Sequence, residues 1–408
     1  MRLIRRAPLL IALLGLTVLA SSACGTTVQT TAAPTTVEPV TNALVVAAPL
    51  ADRAALTRVS RPASAPELRV AYNEVLDEHA LLAMMATSAS LGHRAGELAA
   101  ASARLQTNAD QLADLVAQIY DPKTGNAFST FWRLHIGYFL EYTEALGRGD
   151  HAKASRAGDD LEKYAADLEN LLKSSTDSMP VGVVRALVTK HVHNVDHQHA
   201  GNWQAAYGDI LPAIDNMRII SDHLTLGVQV KYGDRYTGDT TTEASKLGTT
   251  VASSLQVNVA LFGIASGAAI DGRDAEAGLA VNTARENVHR LAAVLNGGTA
   301  DPAVERALTD LVDDLDAYSR GAKSPTPSSS EASRRLDGHA QAIATALAPK
   351  YPKVAQADLV ALLRSYIAGI QQTAQAQATG DWATAFTTLS NNQAHGTRIA
   401  DAIALASA

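Results

Sequence analysis

The residues best suited to chemistry in this chain are histidines. His79 has Val75, Leu76 and Leu82 as its neighbours three and four positions away. His135 has Trp132, Tyr138 and Phe139, and His191 has Leu187, Val188 and Val195. At helical spacing each imidazole falls on the apolar face of its own segment. Each lies about ten to thirteen residues into that segment, and a helix rises 1.5 Å per residue. In an up-and-down bundle the first, third and fifth helices run the same way, so the three rings would meet at one level. Imidazole suits a transition ion, with Zn, Cu or Fe as candidates, and bundle cores are common places for such sites. His79, His135 and His191 are therefore the candidate metal ligands. Glu78, Asn108, Asp110 and Asp215 are candidate supporting or extra ligands. The competing reading is that each ring simply bonds to a carbonyl or a neighbouring helix, because an interior imidazole must be satisfied by something.

A second group runs from His191 to His199. His193 and His197 stand i, i+4 apart and point away from the apolar face, a spacing that can chelate a surface ion. The other reading is a solvated face. Met84 and Met85 follow His79 by one to two turns. Thioethers would suit copper or haem iron, but at this spacing they read as core filler. Metalloprotease, nucleophile-elbow, phosphate-loop and dinucleotide signatures are all missing from the sequence. A metal-dependent enzyme would need an open coordination position beside the three histidines.

The chain's single cysteine has another use. Arg2, Arg5 and Arg6 precede an apolar run from Leu9 to Ala20, then Ser21, Ser22, Ala23 and Cys24. The run is shorter than the ~20 residues of a membrane span and has the layout of an export signal. It resembles a bacterial lipoprotein signal, which implies cleavage after residue 23 and lipidation of Cys24. Ser21 departs from that pattern, where leucine is usual. Arg5-Arg6 hints at twin-arginine export without completing that motif. A Thr/Ala/Pro/Val stretch follows and reads as a tether over 24–65. Removing residues 1–23 takes away three arginines and no acid. That leaves 31 basic against 41 acidic residues, a net charge of −10. Such a balance argues against a nucleic-acid partner.

Aromatic residues are only 5% of the chain against 47% hydrophobic overall, so its cores must be built from Ala, Leu and Val. From about Pro66 the apolar spacing is helical throughout. Breaks at Gly, Pro, Asp and Asn predict six helices over 66–91, 94–120, 126–146, 150–174, 180–200 and 203–229. Six more are predicted over 241–269, 272–296, 301–320, 328–348, 355–378 and 382–406. Gly149-Asp150, Gly201-Asn202 and Gly380-Asp381 each read as a helix stop followed by an N-cap. That reading also accounts for Arg148-Gly149-Asp150, which resembles an adhesion triplet. Ser324–Ser330 reads as a mobile loop, and no apolar run beyond the signal reads as able to span a bilayer.

An internal repeat runs through the body. Trp203 and Trp382 are 179 residues apart, as are Arg94 and Arg273, Glu97 and Glu276, Asn108 and Asn287, Leu112 and Leu291, and Asp222 and Asp401. Tyr142 matches Tyr318 at 176. The expected fold is all-α: two tandem up-and-down bundles, each a copy of one six-helix unit, over 66–234 and 239–408. The second copy holds Asn258, Leu311 and Tyr366 near the three histidine positions, so any metal site belongs to the first copy alone.

Glu78-His79, Asn108, Leu134-His135-Ile136, Gly149-Asp150 and Lys190-His191-Val192 together resemble the marks of a recurring family of secreted bacterial helical bundles. The resemblance covers most of the first copy and implies export and a helical body. It carries no assigned activity. The expectation is a lipid-anchored protein on the extracytoplasmic face of the cell membrane, with a non-enzymatic binding or scaffold role. A transition metal in the first bundle and an envelope protein partner are candidates. The alternatives are the metal-dependent enzyme and a structural interaction module.

Overall fold

Short polar residues start many of the helices of this protein. In the computed structural model, which describes residues 61–175 and 180–407, the Asp121 side chain accepts the Thr124 N–H and Pro122 takes the first helical position. The third helix therefore begins four residues earlier than its apolar spacing suggests. Asn202, Asp150 and Asp381 likewise accept N–H groups three residues on. Gly149, Gly201 and Gly380 before them adopt positive φ values of 68–76°. The Arg148-Gly149-Asp150 triplet is thus a helix junction. The signal over 1–23, Cys24 and nearly all of the tether lie outside the described residues.

Every regular element among the described residues is a helix. The first half holds α1 (Ala65–Leu91), α2 (Ala95–Ile119), α3 (Pro122–Gly147), α4 (His151–Ser175), α5 (Val183–His199), α6 (Trp203–Gly208) and α7 (Ile210–Tyr232). The second holds α8 (Glu243–Ile270), α9 (Asp274–Val294), α10 (Pro302–Arg320), α11 (Pro327–Leu347), α12 (Gln356–Ala378) and α13 (Trp382–Ser407). Two expectations change here. The single helix predicted over 203–229 breaks at Asp209, because Pro212 has no N–H to return to Gly208. The predicted loop at Ser324–Ser330 is largely helix: Thr326 and Ser329 cap each other reciprocally and α11 starts at Pro327.

Within each half consecutive helices pack on one another, and α1 and α8 form the centre of their respective halves. Both are buried along most of their length. Contrary to the sequence reading, α8 is long and apolar enough to cross a bilayer, but 89% of its apolar window is buried inside the protein. One hydrophobic core runs through both halves, and a smaller one around Phe139, Leu161, Ala165, Val188 and Val195 lies beneath α3, α4 and α5.

The 179-residue spacing recurs in the hydrogen bonds. Asn108 donates to Val75 O at 2.9 Å, and Asn287 to Ser254 O at 2.8 Å. Arg94 N donates to Ala89 O, and Arg273 N to Ala268 O. Thr87 pairs with Gln198, and Ser266 with Gln377. The α1–α8 crossing is reciprocal in the same register. Asp77 receives the Ser253 hydroxyl, while the backbone oxygen of Glu74 receives the Gln256 amide. Ser253 and Gln256 are the residues 179 positions after Glu74 and Asp77. This is the pattern of a two-fold contact within one chain. At the chain's entry, Ala65 N donates to Thr237 O in the link between the halves, at 2.9 Å.

Candidate functional site

His79 on α1 and His135 on α3 come together in the core of the first half. Their Nε2 atoms are 3.0 Å apart, and both residues are buried. Trp132, one turn before His135, sits 4.9 Å from the His79 ring and 4.6 Å from the His135 ring, centroid to centroid. Tyr164 of α4 stacks on His135 at 4.8 Å. Burial holds His79 down to about 3, with the charge of His191 adding to the shift and the Asn108 side chain opposing it. Burial also pushes His135 well below its ordinary value, with His79 as the next cause. Both rings are therefore neutral at neutral pH. In a neutral pair one Nε2–H donates to the other Nε2. One ring then keeps an Nδ1–H and the other a bare Nδ1. Neither Nδ1 closes a hydrogen bond, although both are buried.

His191 does not complete the trio. Its Nδ1 lies 3.0 Å from Leu187 O on its own helix. Phe139 meets its ring edge-on at 5.9 Å and also touches the His135 ring at 6.4 Å. Helical spacing puts all three histidines on inward faces, but it cannot show that an aromatic side chain one turn past His135 contacts both rings. Among the described residues no group of three or more His, Cys, Asp or Glu is placed to hold a metal ion.

The proposed supporting ligands are engaged elsewhere. Arg104 grips Glu78 through two bonds of 2.9 Å, and Ser390 and Asn108 add hydroxyl and amide donors. Asp110 pairs with Arg133 at 2.5 Å. Asp215 is exposed and faces Arg218 and Arg290. Of the four, Asn108 alone acts on the histidine pair, as the side chain that opposes the His79 shift. The surface pair also separates in role. His193 is exposed, whereas His197 Nδ1 is 3.1 Å from the Asp209 carboxylate.

The second half needs no imidazole at these places. Asn258 occupies the His79 position and accepts from Asn287 at 2.9 Å. The Gln198–Gln377 match sets Ile370 opposite His191, and Tyr366 opposite Leu187. The histidine pair is thus a property of the first half and not a packing requirement of the repeated fold.

A second site was present in the sequence only as repeat matches. The turns after α1, α5 and α8 surround a cleft of about 540 Å³, lined by residues that include Arg94, Gln198, Trp203, Asp271, Arg273 and Glu276. Arg94 Nε donates to Glu97 at 2.6 Å, and Arg273 makes the equivalent pair with Glu276. Arg273 also reaches toward Glu97 at 3.9 Å and Asp271 at 3.4 Å. Glu276 takes hydroxyls from Ser88 and Tyr207 as well. Carboxylates raise the already high Arg273 further, against its burial. The floor is a charge-compensated network contributed by both halves, with donors and acceptors side by side and an indole at its edge. The sequence signal was available, since Arg94/Arg273 and Glu97/Glu276 repeat at 179, but repetition alone does not tell a clamp from a site. No family model matches the chain, and comparison with curated proteins and with solved structures finds no match.

Proposed function

We propose that this chain is an exported, lipid-anchored binding protein of the cell envelope, and that it acts without catalysis. Its anchor is Cys24. Its binding site is the cleft between the two halves. The observation that carries the reading is the cleft itself: about 540 Å³ of space lined by residues from both halves. Its charged side chains neutralise one another in pairs and are not arranged as a nucleophile beside a base. A site of this kind favours a small polar ligand carrying both donors and acceptors.

The test has two arms. A Cys24→Ser variant moves from the membrane fraction to the soluble extracytoplasmic fraction; equal membrane retention would refute the anchor. A polar-metabolite panel screened by native mass spectrometry finds a ligand for the wild type, and Arg94→Ala or Arg273→Ala weakens its binding by tenfold or more. A ligand whose affinity ignores both variants would place the site elsewhere.

A transition metal at the histidine pair is a second reading. It is favoured by the 3.0 Å Nε2 separation and by the absence of the pair from the second half. Two imidazoles supply two ligands, so a full coordination shell would need His191 or water to move in. Metal content of the wild type against His135→Ala decides it. The enzyme variant of this reading would need a route from solvent to the pair, whose rings are buried.

A further inference from the structure

The cleft beside the turns after α1, α5 and α8 has a counterpart 179 residues on, and the counterpart is filled. There the Trp382 ring lies against two glycines. A Cβ on Gly96 would come within 3.2 Å of its Cδ1, and one on Gly267 within 3.5 Å of its Cη2. About 10 Å³ remains beside Trp382, Glu97 and Gln377, against about 540 Å³ beside Trp203, Glu276 and Gln198. The first-half matches of the two glycines are Ala275 and Ser88. Ala275 carries the Cβ that Gly96 lacks. The Ser88 hydroxyl donates to Glu276 and receives Arg94 Nη2 at 2.8 Å. An indole placed as Trp382 is would crowd both residues, so Trp203 stands on the wall of an open cleft.

The charges of the open cleft do not quite cancel. Arg94 is bonded to Glu97 and Arg273 to Glu276, which leaves Asp271 outside both pairs. Asp271 is exposed, and the bond it receives from Arg273 Nη2 is long, at 3.4 Å. His199 is the remaining titratable side chain on the wall. In the filled counterpart Gly92 takes the place of Asp271. The spare carboxylate and the uncovered indole therefore belong to the open cleft alone. A carboxylate and the face of an indole are the groups that together hold an organic cation.

We propose that the ligand of this cleft is an organic ammonium compound, recognised by the Trp203 ring and the Asp271 carboxylate. The inference rests on the cleft being the binding site and adds the charge of what it binds. The two guanidiniums do not oppose such a ligand strongly, because each is already spent on a glutamate. An anionic ligand would have to draw Arg94 or Arg273 away from its partner and would meet Asp271 unpaired. The rest of the space accommodates the uncharged body of the ligand, with Gln198 on the wall as a source of both a donor and an acceptor.

The experiment is titration calorimetry on the full chain with choline, putrescine and cadaverine as cationic probes. The uncharged choline isostere 3,3-dimethylbutan-1-ol and the anion succinate are titrated beside them. At least one ammonium probe binds the wild type, ten times or more tighter than the isostere and than succinate. Trp203→Ala and Asp271→Asn each weaken that binding tenfold or more. Silence from all three ammonium probes overturns the inference, as does an isostere that binds as well as choline. Succinate binding that needs Arg94 and Arg273 also overturns it, while leaving the cleft as the binding site. Ammonium binding that ignores the Trp203, Asp271, Arg94 and Arg273 variants alike overturns both. Should Trp203→Ala fail to fold, the nearly isosteric change at exposed Asp271 and the three-way charge comparison on the wild type still decide.

Discussion

The Nε2 of His79 lies 3.0 Å from the Nε2 of His135, inside a cage that includes Trp132 and Tyr164. Removing one partner leaves the other buried without its bond and opens a cavity. His135→Ala should cost about 2–4 kcal/mol in denaturant unfolding. The second half suggests a different replacement. His79→Asn with His135→Leu copies Asn258 and Leu311, and this double variant should lose less than His135→Ala alone.

The same pair sets a pH dependence. The native rings stay neutral because burial lowers both, His79 to about 3. The unfolded rings titrate near 6.5. Their contribution to stability is therefore complete above about pH 6.5 and is lost as pH falls toward the folded values. Relative to the double variant, the wild type should lose about 1–2 kcal/mol per ring between pH 7 and pH 5. Parallel pH profiles for the two proteins would show that the rings titrate alike folded and unfolded.

The cleft network predicts an asymmetry between its two glutamates. Glu276 accepts from Ser88, Tyr207 and Arg273, whereas Glu97 accepts from Arg94 and lies 3.9 Å from Arg273 without a hydrogen bond. Glu276→Ala should therefore cost more than Glu97→Ala, by about 1–2 kcal/mol in thermal or denaturant unfolding.

Two glycines inside α3 should respond oppositely to alanine. A Cβ on Gly125 would come within 2.6 Å of the Ala117 Cβ and 2.7 Å of Ala113 O, where α3 lies closest to α2. Gly125→Ala should destabilise by about 1–3 kcal/mol. A Cβ on Gly137 meets nothing within 4 Å. Gly137→Ala should be neutral or stabilising by up to ~1 kcal/mol. Melting curves of the two variants, moving in opposite directions, check the α2–α3 packing directly.

The helical class, most helix ends and the 179-residue register were legible because caps, glycine stops and apolar periods are local signals. Asn202 and Asp381 announce their helices in sequence and cap them in the structure. The break at Asp209 was equally local, in Pro212, but the apolar period across it masked the signal. The site was legible only by halves. Periodicity put His79 and His135 inward, and they meet. It put His191 inward too, yet Leu187 O one turn back holds its Nδ1, which is the competing reading for that ring.

The bond from Ala65 N to Thr237 O ties the first turn of α1 to the strip of chain joining the halves. A pull arriving along the backbone ahead of residue 61 is therefore delivered beside the link between the halves, not at a loose end. Such a load would bear first on that fastening and only afterwards on the interior of either half.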